Sequence, residues 1–288
     1  MTQAAIDLLH GWLARQLPDA SALWLEDQLA KLGSDPADRE LHIALGMVPR
    51  RLGKDDLALG AEDLEAAGTA RDGWDPRGWS VDVAARVLVL CRAGGSGAAF
   101  AKRFTDLCRS ADVAESIAFY CGLPLYRSPE LLETQAAEGL RTNMRAGFEA
   151  IAHRNPFPRE RFEENRWNHM VLKALFIDST LAPIQGLDER ANPELARILC
   201  DYAHERWAAG RPITPELWRC VGPFARGDAL ADLERVLTTG GETERKAAVL
   251  ALTANPAPAA RDLVARAGEL TAAIASGELT WQTVTRDS

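Results

Sequence analysis

The chain has 288 residues, 47% of them hydrophobic, and a formal net charge of −8. That length suffices for one large core or two fused ones, and the acidity, with no basic stripe to offset it, argues against extended nucleic-acid binding. The five cysteines, Cys91, Cys108, Cys121, Cys200 and Cys220, are odd in number, widely spaced and never form C-x-x-C; they read as reduced, mostly buried cytosolic thiols rather than a disulfide framework or a zinc site.

The opening MTQAAIDLLHGWLARQL lacks an early positive cluster and places Asp7 where a signal peptide needs an unbroken apolar run, so it reads as an amphipathic helix. The longest apolar stretches, VAARVLVLC and MVLKALF, fall short of the roughly 20 residues that cross a bilayer. A cytoplasmic protein without membrane insertion is expected. Apolar residues recur at helical spacing, first at Ile6, Leu9 and Leu13, then at Leu23, Leu25, Leu29 and Leu32. No stretch alternates with period two. The pattern predicts helices over 2–16, 20–32, 37–51, 55–67, 80–92, 97–109, 112–122, 129–153, 159–177, 193–209, 215–221, 227–238, 242–253 and 257–275.

The fold class is therefore all-α. Short helices joined by short loops suggest stacked hairpins in a HEAT-like α/α superhelix, with an irregular helical bundle as the alternative. The chain reads as a single domain 1–288, or as two packed halves of about 1–126 and 127–288. GTARDGWDPRGWSVD, over 68–82, combines Gly, Pro, Asp and two tryptophans without helical period and reads as a long loop. The polar tail after Trp281 is expected to fray.

Common chemical signatures are missing. AGGSGAAF, over 93–100, follows a helix and lacks a GK[ST] ending, so a flexible connector is favoured over a phosphate cradle. No G-x-S-x-G, H-E-x-x-H or EF-hand loop occurs, and no motif implies a cofactor. Glu149 and His153 lie four apart and offer two metal ligands, with His169 and His204 as candidates to complete the set, yet such pairs are common as surface partners. No metal is assigned.

The segment 141–218 departs from a plain scaffold. Asn143 falls on the stripe of Leu140, Met144, Gly147, Phe148 and Ile151, so its amide is expected to point inward. Asn168 shares a face with Val171, Leu172 and Leu175, and Lys173 is embedded in MVLKALF, either snorkelling or paired. Arg206 continues the stripe of Leu195, Ile198, Leu199 and Tyr202, beside His204, Glu205 and Trp207. The Asn155-Pro156 and Asn192-Pro193 turns fold the chain back at 154–158 and 186–193, so Arg154, Asn155, Asp188 and Arg190 are expected to face one site. With Trp167, Trp207 and Trp218 as aromatic walls, these polar groups match the composition of a small-molecule pocket, although for each residue alone a structural network is the commoner role. The ligand-binding candidates are Asn143, Glu149, Asn155, Trp167, Asn168, Lys173, Asp188, Arg190, His204, Glu205, Arg206 and Arg211. Catalytic residues are unassigned.

The phrases RTNMRAGFEAIAHRNPFP, RWNHMVLKALF, GLDERANPELARILCDYAHERWAAGR and PELWR, with weaker matches at LGKDDL and WSVDVAARVLVL, resemble the EboA family. His153 and His169 depart from its pattern, which has an apolar residue and a glutamine there, so neither is a family-wide ligand. The resemblance implies association with an operon that matures or moves a secondary metabolite, alongside a prenyltransferase and a cyclase of sugar phosphates. In cyanobacteria it implies a link to export of a sunscreen pigment precursor. It carries a pathway context and no mechanism. The expected function is biosynthesis or export of a secondary metabolite by binding an intermediate or an enzyme of the same operon. The competing reading is an enzyme of a small polar metabolite, with Lys173 and His204 or Glu205 as acid/base groups and Arg190 and Arg206 holding an anion.

Overall fold

A computed structural model describes residues 3–33, 35–93 and 95–286, the side chain of Arg286 excepted. Among these the protein is all-α, with no strand or sheet. The chain divides into two compact units, Met1–Glu163 and Glu164–Ser288.

The first unit carries α1 (Gln3–Gln16), α2 (Asp19–Leu32), α3 (Asp38–Leu52), α4 (Ala61–Ala70), α5 (Val81–Ala93), α6 (Gly97–Ser110), α7 (Val113–Cys121), α8 (Glu133–Gly139), α9 (Arg145–Ala152) and α10 (Phe157–Arg161), with 3₁₀ turns at Leu123–Leu125 and Pro129–Leu131. Its centre is α5. The run VAARVLVLC is apolar nearly all round, which only a buried helix tolerates, and α1, α2, α3 and α7 pack against it. The two charges of α5, Asp82 and Arg86, are both buried. They compensate each other at 2.6 Å, one turn apart, and Ser80 Oγ donates to Asp82 while Arg86 Nε donates to the Leu45 carbonyl. A buried charge without such partners would not be tolerated.

The second unit carries α11 (Glu164–Phe176), α12 (Pro193–Ala208), α13 (Leu217–Val221), α14 (Asp228–Thr239), α15 (Glu242–Thr253), α16 (Pro258–Arg266), α17 (Glu269–Ala275) and α18 (Trp281–Arg286), with a 3₁₀ turn at Gly222–Phe224. Here α15 is central and touches α13, α14, α16, α17 and α18. A Cβ on Gly222 would stand 2.3 Å from the Ala251 carbonyl oxygen, so glycine is what lets the 3₁₀ turn approach α15. Consecutive helices do pair, α2 on α3, α14 on α15 and α15 on α16, but each unit is also gathered around one central helix, as in a bundle.

Tertiary contacts override several sequence expectations. The predicted helix 55–67 begins only at Ala61, because 55–57 is extended: Leu57 N–H donates to the Trp79 carbonyl and Val81 N–H to the Asp55 carbonyl, at 2.9 and 2.8 Å. The predicted helix 129–153 is broken, with α8 and α9 separated by an irregular stretch at 140–144. A Cβ on Gly139 would stand 2.5 Å from the Tyr120 ring, and α9 folds back on both α8 and α7, which one straight helix cannot do. Asn143 lies in this break and is exposed, not inward. The predicted 159–177 helix splits where Phe162 leaves the helix and meets the Phe157 ring edge-on at 6.0 Å. The predicted 257–275 helix splits at Gly268, whose φ is +44°. Leu23 stands off its stripe and is 70% exposed. The tail is helical to Arg286, with Val284 fully buried. Residues 127–163 pack with the first unit.

Candidate functional site

The non-helical loop 71–80 is held at both ends. At its start Arg71 pairs with Glu160 at 2.5 Å and Asp72 with Arg159 at 2.8 Å, both partners on α10. At its end Trp79 and Val81 join the 55–57 segment through the backbone bonds given above. Between them Trp74 is buried against Trp12 and Trp79, with ring centroids 5.5 and 6.1 Å away. A loop so anchored presents its side chains in a defined geometry.

It faces the α9–α10 turn. Asn155 is buried, with its Nδ2 donating to the Tyr120 and Ala150 carbonyls at 3.2 and 3.1 Å. Its Oδ1 accepts from Phe157 N–H at 3.0 Å. The amide thus ties α7, α9 and α10 together. Preceding it, Arg154 takes a left-handed backbone with φ +49°, a conformation that costs an arginine on the order of 1 kcal/mol relative to glycine.

Loop and turn enclose a cavity of about 220 Å³ lined by Asp75, Arg77, Gly78 and Trp79, by Ile117 and Cys121 of α7, by Ala146, Glu149 and Ala150 of α9, and by His153, Arg154 and Asn155. Asp75 Oδ1 accepts from Arg77 N–H at 3.1 Å. The Arg77 and Arg154 side chains stand 4.0 and 3.8 Å from the Asp75 carboxylate. Glu149 meets Arg145 at 3.2 Å and His153 Nδ1 at 4.0 Å. Burial pushes the Cys121 thiol up to about 12, so it is neutral at physiological pH and is no thiolate nucleophile. Burial also pushes Cys91, Cys108 and Cys220 to about 12 and Cys200 to about 11. Among the described residues no three His, Cys, Asp or Glu side chains gather as a metal would require.

Of the twelve candidate ligand residues, Asn143, Glu149 and Asn155 belong to the first unit and the other nine to the second. Glu149 and Asn155 line the cavity. In the second unit most candidates are engaged in joining helices. Asn168 and Asn192 exchange amide hydrogen bonds at 3.2 and 2.8 Å, and Asn192 Oδ1 also caps α12 through Leu195 N–H. Asp188 and Arg219 form a two-pronged pair, both bonds 2.6 Å. The Arg190 guanidinium covers the Trp167 ring at 4.6 Å. Arg206 donates from Nε and an Nη to the Pro212 carbonyl at 3.0 and 2.8 Å. The Arg235 guanidinium covers the Trp207 ring at 4.5 Å, and Trp218 meets that ring at a tilt, centroids 5.9 Å apart. His204 pairs with Asp232 at 2.7 Å, whereas Lys173 lies 5.8 Å from the ring of the exposed Phe176. Glu205 and Arg211 are exposed.

Two further polar residues escaped the sequence reading. Glu216 is 1% exposed, and its carboxylate accepts from Leu181 and Ala182 N–H and from Thr285 Oγ1, each at 2.9 Å. Asn255, also buried, donates to the Gly222 and Ala225 carbonyls and accepts from Ala257 N–H. The repeated Asn-Pro dipeptide at 155 and 255 was the available signal for the second. Glu216 leaves none, because its partners lie 34 or more residues away.

A family model described as metabolite traffic protein EboA matches residues 5–222. The chain belongs to the EboA family. The match includes the whole of the cavity lining and supports a role in metabolite traffic. No curated protein and no solved structure matches the chain. Among the described residues no helix is long and apolar enough to cross a membrane. Within the EboA match, the cavity draws on three stretches far apart in sequence, 75–79, 117–121 and 146–155.

Proposed function

We propose that the protein is a non-catalytic carrier that holds a small polar intermediate of secondary metabolism in the first-unit cavity for delivery to another protein of its pathway in the cytoplasm. One observation carries this reading: an anchored loop and a tight turn bring Asp75, Arg77, Glu149, His153 and Arg154 around one space beside Trp79. A hydrophobic wall with a few placed polar groups is the ordinary makeup of a ligand site. At about 220 Å³ the space is below the roughly 300–1,000 Å³ of sites that enclose drug-sized ligands, which favours a small metabolite or the polar end of a larger one. The neutral thiol of Cys121 fits holding better than covalent chemistry.

Native mass spectrometry of the protein co-expressed with its genomic neighbours tests this. A stoichiometric small-molecule adduct is expected on the wild type and not on Ala146→Trp, which fills the cavity from an exposed helix position. A bare mass for the wild type, or an adduct that survives the substitution, overturns the proposal.

A further inference from the structure

We infer that the ligand of this cavity is an anion bearing a phosphate or carboxylate, held between the guanidinium groups of Arg77 and Arg154. The inference rests on the cavity being a ligand site and adds the chemical class of what enters it.

The first support is a contrast in geometry. Several other arginines grip carboxylates within hydrogen-bond distance: Arg219 with Asp188 at 2.6 Å twice, Arg15 with Asp63 at 2.8 and 3.1 Å, Arg103 with Asp38 at 2.8 Å, and Arg86 with Asp82 at 2.6 Å. At the cavity two arginines share the single carboxylate of Asp75, one facing each oxygen, at 4.0 and 3.8 Å. Both lie beyond hydrogen-bond reach. Asp75 is itself held by Arg77 N–H, so it acts as a fixed counter-charge that keeps the two cations near each other without saturating their donors. A guanidinium presents a planar fork suited to oxyanions.

The second support is charge. The cavity lining carries two guanidiniums, Arg77 and Arg154, and two carboxylates, Asp75 and Glu149, and Arg145, outside the lining, meets Glu149. With Glu149 met by Arg145, the two lining guanidiniums face one carboxylate, Asp75, in a chain whose formal net charge is −8.

The third support is strain. Arg154 occupies a left-handed position, φ +49°, where glycine is cheaper, and the next residue's amide locks that turn in place. Strained backbone kept by its surroundings is characteristic of binding sites. Its effect here is to place a guanidinium on the cavity rim at 45% side-chain exposure.

The test is a titration of the full chain, ¹⁵N-labelled at its indoles, with inorganic phosphate, acetate, glycerol and choline, following the Trp79 resonance assigned through Trp79→Phe. Saturable shifts with phosphate or acetate are expected, the former marking a phosphoryl ligand and the latter a carboxylate. Arg77→Gln and Arg154→Gly are each expected to weaken binding by about tenfold, the loss of one charge-assisted contact. Arg154→Gly suits its backbone and so tests the side chain without threatening the fold. Shifts with glycerol or choline alone overturn the anion inference and leave the cavity as a ligand site. Silence toward all four probes overturns it too. In that case an adduct still displaced by Ala146→Trp preserves the carrier reading, whereas an adduct indifferent to that substitution ends both.

Discussion

The same residue types do opposite work in the two units. In the second unit Arg219 and Asp188 meet through two bonds of 2.6 Å, and Asn168 and Asn192 close on each other. These donors and acceptors are answered within the protein. At the first-unit cavity Arg77 and Arg154 stop about one ångström short of such bonds with Asp75. Composition alone makes both places look like pockets; only the spacing of charge from counter-charge distinguishes a clasp from an open hand. The Asn155-Pro156 and Asn255-Pro256 turns supply the control. Asn155 and Asn255 have the same hydrogen-bond pattern, two carbonyls accepting from Nδ2 and the second following N–H donating to Oδ1. Asn155 therefore braces the site and does not need a ligand to be satisfied.

Glu216→Ala is expected to have the largest effect, because it strips acceptors from two backbone N–H groups in a buried position. A loss of about 2–4 kcal/mol in urea unfolding is expected. A loss below about 1 kcal/mol would mean that water takes the carboxylate's place and that the second unit is less tightly closed than its hydrogen bonds imply.

Asn155→Ala and Asn255→Ala come next, each expected to cost about 2–3 kcal/mol by the same measurement. Their near equality is the point. A much smaller cost at Asn155 would show that the cavity side of its turn is already hydrated, and would set the two turns apart.

Thiol chemistry separates the regions from another side. Burial raises Cys121 to about 12 and Cys200 to about 11. Both thiols are therefore protonated in the folded state where an unfolded chain begins to ionise. Their contribution to stability is complete below pH about 9 and is lost as pH rises through that value toward the folded pKa. At pH 8 iodoacetamide is expected to label Cys200 faster than Cys121, whose deeper burial holds its thiol further from ionisation. Mass mapping that finds Cys121 first would mean that the cavity wall is wetter than drawn.

The smallest effects are expected at the carboxylates. Asp188→Asn breaks a partly exposed pair and should cost about 0.5–1 kcal/mol. Asp75→Asn keeps the acceptor for Arg77 N–H and gives up only two long contacts, so less than about 0.5 kcal/mol is expected. If Asp75→Asn is the costlier in thermal unfolding, Asp75 is a structural clasp after all and the contrast between the two regions fails.

Most helices were legible because burying one face of a helix imprints a period near 3.6 on the sequence. α1, α2, α3 and α5 lie within a residue or so of their predicted bounds, and α15 matches them fully. Breaks were legible where proline, glycine or a polar cap such as Asp112 marked them, but glycine alone, at Gly139 and Gly268, did not reveal the breaks there. The 55–57 segment escaped because its extended form is set by Trp79 and Val81, more than twenty residues away. The site divided in the same manner. The Asn155-Pro156 dipeptide marked the turn that buries Asn155, and Asn168 read correctly as inward-facing, since a polar residue on an apolar stripe is visible within one helix. Asn143 did not, because the stripe that placed it belonged to a helix that Gly139 and the packing on Tyr120 break.

What the order of residues alone determined was the all-α class, the position of the long loop and the kinship with EboA proteins. All three are local patterns or long matched phrases. The tertiary structure decided which polar residues share a space and at what distance. Asp75 and Arg154 are 79 positions apart, and no periodicity within either segment records that the two must meet, still less that they meet at 3.8 Å rather than 2.6 Å. That ångström is fixed by Trp74 packing, by the Asn155 amide and by the α10 ion pairs together, and it is the difference between a closed salt bridge and an open site.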